Sequence, residues 1–389
     1  MQPFRSSISW VITPLQTGLL GGILLSFVSF WMFRTALNTY VASQDGTPFH
    51  LSIIESAYFL PSLFFTLIGG QIADSDKRRN SLIILLLIYL ALQLLLGMHI
   101  LLLGYSFVTL ALITAMLGVT GALKNPVTEL VVKDFATDNI NHLISGSMLA
   151  FNLGRVFGPI IVGLAAIQCS KASIILVAAA INLPLVFILL YTKTNQDGQH
   201  SIQIEPDTNM KRPISNLVVI TSLYFICSNL LWTTLPFVLA DLPAYATTVY
   251  GYCFSVFGLG AVAAAPLYPR LRRSLTFTQL FTISALFYSV VYVMFLSKNI
   301  PLILASVFLA GISMTIFGSG ISSYILEEST QRNGRDMSIL ITAMNSSLAF
   351  GSLFLSALVT KFGIGIGVAL TTIILVFIIP LYSWRYLNV

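Results

Sequence analysis

The chain has 389 residues, 56% hydrophobic and only 9% charged, with a formal net charge of +6. A water-soluble domain carries roughly a quarter charged residues, so this composition cannot coat a soluble globule and excludes one. The positive balance does not indicate a nucleic-acid binder, because the bases fall in short breaks between apolar runs, where membrane topology explains them.

In chain order, the apolar runs predict spans at 15–42, 50–73, 81–103, 105–131, 143–166, 171–192, 214–238, 246–269, 276–297, 300–326, 337–360 and 363–384. Each is long enough to cross a hydrocarbon core of about 30 Å as a helix. The stretch from Leu82 to Leu103 holds no Asp, Glu, Lys or Arg at all. Such runs are too long and too unalternating for barrel strands, and a spanning helix satisfies its own backbone. The fold class is therefore an all-α integral membrane protein of about twelve helices. Met1 to Ser9 lead through Trp10 and Pro14 into a full-length span, so no cleavable signal is read there. Between the sixth and seventh spans, Thr192 to Pro213 is polar and reads as a linker. The expected organisation is a six-helix bundle at 1–192, a cytoplasmic linker at 193–213 and a second six-helix bundle at 214–389. Two such bundles are expected to be related by an axis along the membrane normal.

Basic residues set the orientation. One side of the membrane collects Arg5, Lys77, Arg78, Arg79, Lys133, Lys193, Lys211, Arg212, Arg270, Arg272, Arg273, Arg332, Arg335 and Arg385, and the other only Lys171, Lys298 and Lys361. Lys and Arg are retained inside, which puts both termini and the linker in the cytoplasm. The three cysteines lie far apart in apolar sequence and read as small core residues. The four histidines form no ligand cluster, and His99 reads as a hydrogen-bonded packing residue. No metal site, cofactor or partner chain is called for, and a monomer is expected. No phosphate-binding loop with its Lys-Ser/Thr is present, so any energy comes from a gradient rather than ATP.

Three bases belong to no loop: Arg34, Lys124 and Arg155. A charge at the bilayer centre costs at least about 2.5–3.5 kcal/mol, so such residues face a cavity or a partner. Lys124 lies about 13 Å from Lys133 along the fourth span, and Thr120, Lys124 and Thr128 form a polar stripe there. Arg155 sits about 18 Å into the fifth span, with Asn152 on its face. Arg34 shares a face with Asn38 in the outer half of the first span. Embedded acids are scarcer: Glu55 near the outer end of the second span and Glu129 toward the inner end of the fourth. Two readings follow. The bases line a cationic passage for an anion, or each pairs with an acid and holds helices together. Glu55 and Glu129 are the candidates for proton coupling, with a local Glu129–Lys133 pair as the plainer reading of the second.

The segment GGQIADSDKRRNSL, from Gly69 to Leu82, resembles the loop signature of the major facilitator superfamily. Gly70, Asp74, Arg78 and Arg79 match it, whereas Lys77 stands at its second glycine and Ser75 at its first arginine. The resemblance implies a gate: Gly70 for close helix approach, and Asp74 to take or release basic partners. SFWMFRTAL, FLPSLFFTLIGGQIAD, NPVTELVV, NLGRVFGPIIVGL and NGRDMSI are similar to the branch containing the bacterial enterobactin exporter and the macrolide efflux proteins. That likeness gives Arg155 the branch's fifth-helix arginine, and assigns Gly154, Gly158, Pro159 and Gly163 to a kinkable surface where the halves meet.

The resemblance implies alternating access around a midplane cavity in a bacterial inner membrane, with export more expected than import. The expected cargo is a small anionic metabolite such as a carboxylate siderophore, moved by proton antiport. Arg34, Lys124 and Arg155 would hold its carboxylates, and Asn125, Asn229, Trp232, Tyr324 and Asn345 would add polar or aromatic contacts. Gly158 and Pro159 join Gly70, Asp74, Arg78 and Arg79 as gating residues. Rival readings are a multidrug or macrolide efflux pump, an importer of a metabolite or lysophospholipid, and a non-transporting receptor or scaffold. An enzyme is not expected, because no nucleophile–base or metal constellation shares one depth.

Overall fold

A computed structural model of the chain describes residues 13–44, 47–135, 140–192, 214–239, 246–297, 299–328 and 333–387. Arg5, Lys298, Arg332 and the expected linker at 193–213, with Lys193, Lys211 and Arg212, lie outside the described residues. The described chain is helical with short connections, and twelve helices are long and apolar enough to cross a membrane. They are Pro14–Ala42, Pro48–Ala73, Arg78–Leu103, Phe107–Asp134, Gly146–Ala165, Lys171–Tyr191, Ile214–Val238, Thr247–Ser274, Phe277–Phe295, Ile300–Ile325, Ile339–Phe362 and Ile364–Leu387. We call the face at which the described chain starts and finishes proximal, and the opposite face distal.

Local chemistry sets the ends. The first, second and ninth spans open on reciprocal caps, Thr13 with Gln16, Thr47 with His50 and Thr276 with Gln279. Proline at the first helical position adds to the first two, since its missing N–H costs nothing there. Three spans are jointed in ways the hydropathy did not announce. The second divides at Leu60 and Pro61 into Pro48–Phe59 and Ser62–Ala73. The sixth divides at Asn182, just before Pro184, which cannot donate to the helix ladder. The twelfth widens into a π turn over Ile374–Ile378, immediately ahead of Pro380. Asn182 fills its joint usefully. Its amide donates to Ser29 Oγ at 2.5 Å and Gln93 Oε1 at 3.0 Å, and accepts from Ser26 Oγ at 3.0 Å. A buried polar cluster so connected holds the first, third and sixth spans in one arrangement.

The core of the six spans after the linker is aromatic, built on Tyr224, Phe225, Phe281, Tyr288, Tyr292 and Phe317. The six earlier spans pack mainly through aliphatic residues such as Leu19, Ile23, Leu86, Leu96, Leu117 and Val127. The halves meet where the fifth span lies on the eighth and the first part of the second span lies on the eleventh. Beyond the joint at Pro61, the second span packs mainly on the fourth. Cross-half hydrogen bonds gather distally. Thr248 Oγ1 donates to Gly163 O at 2.8 Å, Ser255 Oγ to Val156 O at 2.7 Å and Ser56 Oγ to Ala349 O at 2.7 Å. Among the described residues, the halves are thus joined toward the distal face.

Several expectations about small residues need correction. The close approach expected at Gly70 is made by Gly69, where an added Cβ would meet Ala122 O and Pro126 Cγ at 2.9 Å; Gly70 faces open space. Only part of the Gly154–Gly163 surface joins the halves. Cβ atoms on Gly154 and Gly158 would strike Phe27 and Trp31 of the first span, in the same half. Pro159 and Gly163 are the cross-half pair, touching Gly251 and Thr248 of the eighth span. Cys227 and Cys253 are buried, but Cys169 is exposed after the fifth span. His99 leaves Nε2 buried without a partner rather than hydrogen-bonded, since its apolar span offers no acceptor at that depth.

Candidate functional site

The three intramembrane bases meet different fates. Arg34 is neutralised: its guanidinium forms an ion pair with Glu55 across the first and second spans. Asn38, one turn further along, donates to the other Glu55 oxygen at 2.6 Å and to Tyr250 Oη at 3.2 Å. Tyr250 belongs to the eighth span, so this network crosses between the halves at the distal junction. The Arg34 guanidinium also lies 4.6 Å from the Phe59 ring centre and 5.5 Å from that of Tyr58, within cation–π range. In this conformation the charges of Arg34 and Glu55 are committed to each other.

Lys124 and Arg155 have no acid. Among the described residues, two side-chain ion pairs form, Arg34–Glu55 and Arg78–Asp134, and neither involves them. Lys124 is half-buried, with its ammonium 4.6 Å from the Tyr89 ring centre. Arg155 is half-buried among three rings, Phe151 at 4.7 Å, Trp31 at 5.0 Å and Phe257 at 5.1 Å. Its Nε is buried without an acceptor, and so is the indole Nε1 of Trp31. Gly158 allows this meeting, because any side chain there would push the fifth span off Trp31. Asn152, expected on the Arg155 face, spends its amide on Met148 O at 3.1 Å.

An aromatic layer crosses the molecule beside Arg155. Phe254 of the eighth span lies 5.9 Å from Trp31 and 4.3 Å from Trp232, and Trp232 lies 4.7 Å from Phe257. Trp232 thus packs on rings of its own half, and Phe254 links it to Trp31 of the other. Asn229, one turn earlier, uses its amide on Leu348 O at 2.7 Å within the later half, and Asn345 is half-buried on the eleventh span. Tyr324 corrects an expectation. It is buried at the proximal end of the tenth span against Phe277, 5.1 Å between ring centres, away from the bases. Asn125 is exposed, because one residue rotates the helix by about 100° away from Lys124. Glu129 is exposed too, and the expected pair with Lys133 does not form.

The loop between the second and third spans serves its own half. Arg78 makes a two-pronged ion pair with Asp134 at the end of the fourth span, with Nε to Oδ2 at 2.6 Å. Arg79 caps the sixth span, donating through Nε to Leu189 O at 2.8 Å. Asp74 is exposed. Among the described residues, these contacts of Arg78 and Arg79 tie the loop to its own bundle.

Reasoning from sequence overlooked Trp31, Phe151, Phe257, Tyr89 and Tyr250. Phe151 carried a signal, lying four residues before Arg155 on the same helix face. Phe257 and Tyr250 carried none, since only the tertiary fold brings the eighth span to the first and fifth.

Comparison with known proteins agrees with this architecture. The sequence profile of the transmembrane secretion effector family matches residues 19–385. The chain is 23% identical over 367 residues to the staphyloferrin A transporter of Staphylococcus aureus (strain NCTC 8325 / PS 47), covering 87% of this chain and 88% of that protein. Among solved structures, the nucleoside transporter NupG superimposes with a TM-score of 0.75 at 12% identity, covering 96% of this chain and 98% of that one. A POT family transporter in complex with 5-aminolevulinic acid gives 0.76 at 14%, covering 95% of each chain. A D-xylose–proton symporter gives 0.73 at 14%, covering 96% of this chain and 97% of that one. These structural likenesses concern the fold. With the profile spanning nearly the whole sequence, the chain belongs to the transmembrane secretion effector family of the major facilitator superfamily, and it is a multi-pass membrane secondary transporter rather than an enzyme.

Proposed function

We propose that this transporter exports a small anionic metabolite, a carboxylate-bearing siderophore, across a bacterial inner membrane by alternating access. The observation that carries the reading is the pair of bases, Lys124 and Arg155, that form no ion pair with an acid among the described residues. An unneutralised charge at that depth is costly, and an anionic cargo supplies the missing counter-charge. The name of the staphyloferrin A transporter supports a siderophore as the cargo class. Arg34 then acts at the distal junction rather than on the cargo, while Asn125, Asn345, Asn229 and Trp232 border the path. The bundles at 1–192 and 214–389 rock about the fifth–eighth and second–eleventh contacts, with 193–213 as cytoplasmic linker and both termini cytoplasmic.

Proton antiport supplies the energy in this scheme. Glu55 is the favoured coupling group: a proton there releases Arg34 and Asn38, and with them the link to Tyr250. Glu129 is the alternative on the proximal side. The loop from Gly70 through Asp74, Arg78 and Arg79 latches the proximal face in the opposite state, while Pro159 stays in the distal contact and Gly158 sets the first span against the fifth.

Transport into everted vesicles tests the cargo assignment. Lys124→Ala and Arg155→Ala are each expected to raise KM for an anionic siderophore about tenfold or more, as for loss of one charge-assisted contact. Wild-type export with unchanged affinity in both variants would sink the assignment. The aromatic layer of Trp31, Trp232, Phe254 and Phe257 favours one second reading, efflux of lipophilic drugs. Drug-susceptibility profiles of a deletion strain, set against its siderophore secretion under iron limitation, separate the two.

A further inference from the structure

Two hydrogen-bond donors with no acceptor lie side by side at the junction of the first and fifth spans. They are Nε of Arg155 and Nε1 of Trp31, both buried, with the guanidinium carbon 5.0 Å from the indole ring centre. A buried donor left unpaired is costly, and here two share one place. In the later half, by contrast, the buried hydroxyls of Tyr288 and Tyr292 have acceptors; Tyr288 donates to Ser228 O at 2.9 Å and Tyr292 to Cys227 O. The rings around Arg155 explain how it tolerates its place without an acid. They lie within cation–π range and suit the faces of a guanidinium, whereas hydrogen bonding uses its N–H edge. What the arrangement lacks is an acceptor.

We propose that Arg155 and Trp31 form a carboxylate subsite, in which the guanidinium edge and the indole N–H donate to one carboxylate group, and that Phe257 of the other half roofs it. The inference rests on the anionic-cargo reading and adds a donor, Trp31, that the charge pattern did not reveal. It also divides the work between the two free bases. Lys124, against Tyr89, attracts charge without fixed direction, because an ammonium is a compact point charge. Arg155 with Trp31 orients one carboxylate, because both donors are planar and held by packing. The roof ties the subsite to the state of the molecule, since Phe257 leaves Arg155 whenever the fifth and eighth spans separate.

Isothermal titration of the purified full-length protein in detergent with citrate and with salicylate tests this. Wild type is expected to bind at least one of them saturably. Trp31→Phe keeps the ring and removes only the N–H; Arg155→Lys keeps the charge and removes the fork. Each is expected to weaken binding about tenfold, with an unchanged melting temperature reporting an intact fold. Trp384→Phe, at an exposed site remote from the subsite, is expected to bind as wild type does. Binding that Lys124→Gln weakens but Trp31→Phe and Arg155→Lys leave at wild-type strength would overturn the subsite while keeping an anionic cargo. No binding of either carboxylate to wild type would overturn both readings.

Discussion

In the later half, several buried tyrosines find partners inside the bundle, although the hydroxyls of Thr221, Ser284 and Ser356 have none. Tyr224 Oη meets Ser313 Oγ at 2.7 Å, Ser313 Oγ donates to Ser284 O at 2.7 Å, and Tyr292 donates to Cys227 O. In the earlier half, Lys124 and Arg155 stand without acids, and Arg34 is satisfied only by reaching another span. The same lipid surroundings thus hold one bundle with unpaired bases at depth and one in which Arg272, Arg273, Lys361 and Arg385 stand in the last turns of their helices. A bundle of the second kind suits a rigid wall that rocks as a unit; one of the first kind suits a surface waiting for a ligand. On the proposed reading, recognition belongs to the earlier half, while the later half supplies aromatic rings across the junction.

That contrast can be broken in four places. The largest effect is expected from Glu55→Ala, which strands Arg34 at the distal junction and should cost about 3–5 kcal/mol, as for a buried pair deprived of one partner. Thermal unfolding in detergent reads the loss, and Arg34→Leu combined with Glu55→Leu should recover most of it. A silent Glu55→Ala would mean that the earlier half is not under electrostatic stress. Phe317→Ala opens a cavity beneath Tyr224 and is expected to cost about 3–5 kcal/mol, yet leave cargo affinity within twofold of wild type. If affinity instead collapsed with stability, recognition would not be confined to one bundle. Lys124→Ala inverts that pattern, with the melting temperature unmoved and KM raised about tenfold. Smallest is Ser56→Ala, which deletes the bond to Ala349 O and should weaken the distal junction by about 1 kcal/mol. Thiol labelling of Cys253, buried in the eighth span, would then quicken about fivefold in a Cys169→Ser, Cys227→Ser background.

Much of the architecture was legible, for a simple reason. A span must keep about 20 residues apolar, and this chain interrupts its runs cleanly with charged or turn-forming residues. The ends moved where charged residues continue a helix past the hydrocarbon, as Arg78 and Asp134 do. The joint in the second span and that in the sixth each had a proline in plain view, at Pro61 and Pro184. The Arg34–Glu55 pair was also within reach, because the two stand at similar depths on either side of one short turn. The surroundings of Arg155 were not. Trp31 and Phe257 reach it from helices far apart in sequence, and periodicity within one helix says nothing about which face of a distant helix will arrive. Tyr324 failed on the same ground: an aromatic residue near a helix end looks alike whether it borders a path or plugs a core.

The break at Leu60 and Pro61 makes the second span two short rods meeting at a proline joint. The rod bearing Glu55 packs on the eleventh span and also on the fourth, where Gly118 lies against the Tyr58 backbone, while the rod ending in the signature loop packs mainly on the fourth through Gly69 and, beyond it, Arg78. A shift of Glu55 therefore meets the fourth span directly at Tyr58, while the joint at Pro61 sets the angle between the two rods, so the distal network and the signature loop share one helix as their common support.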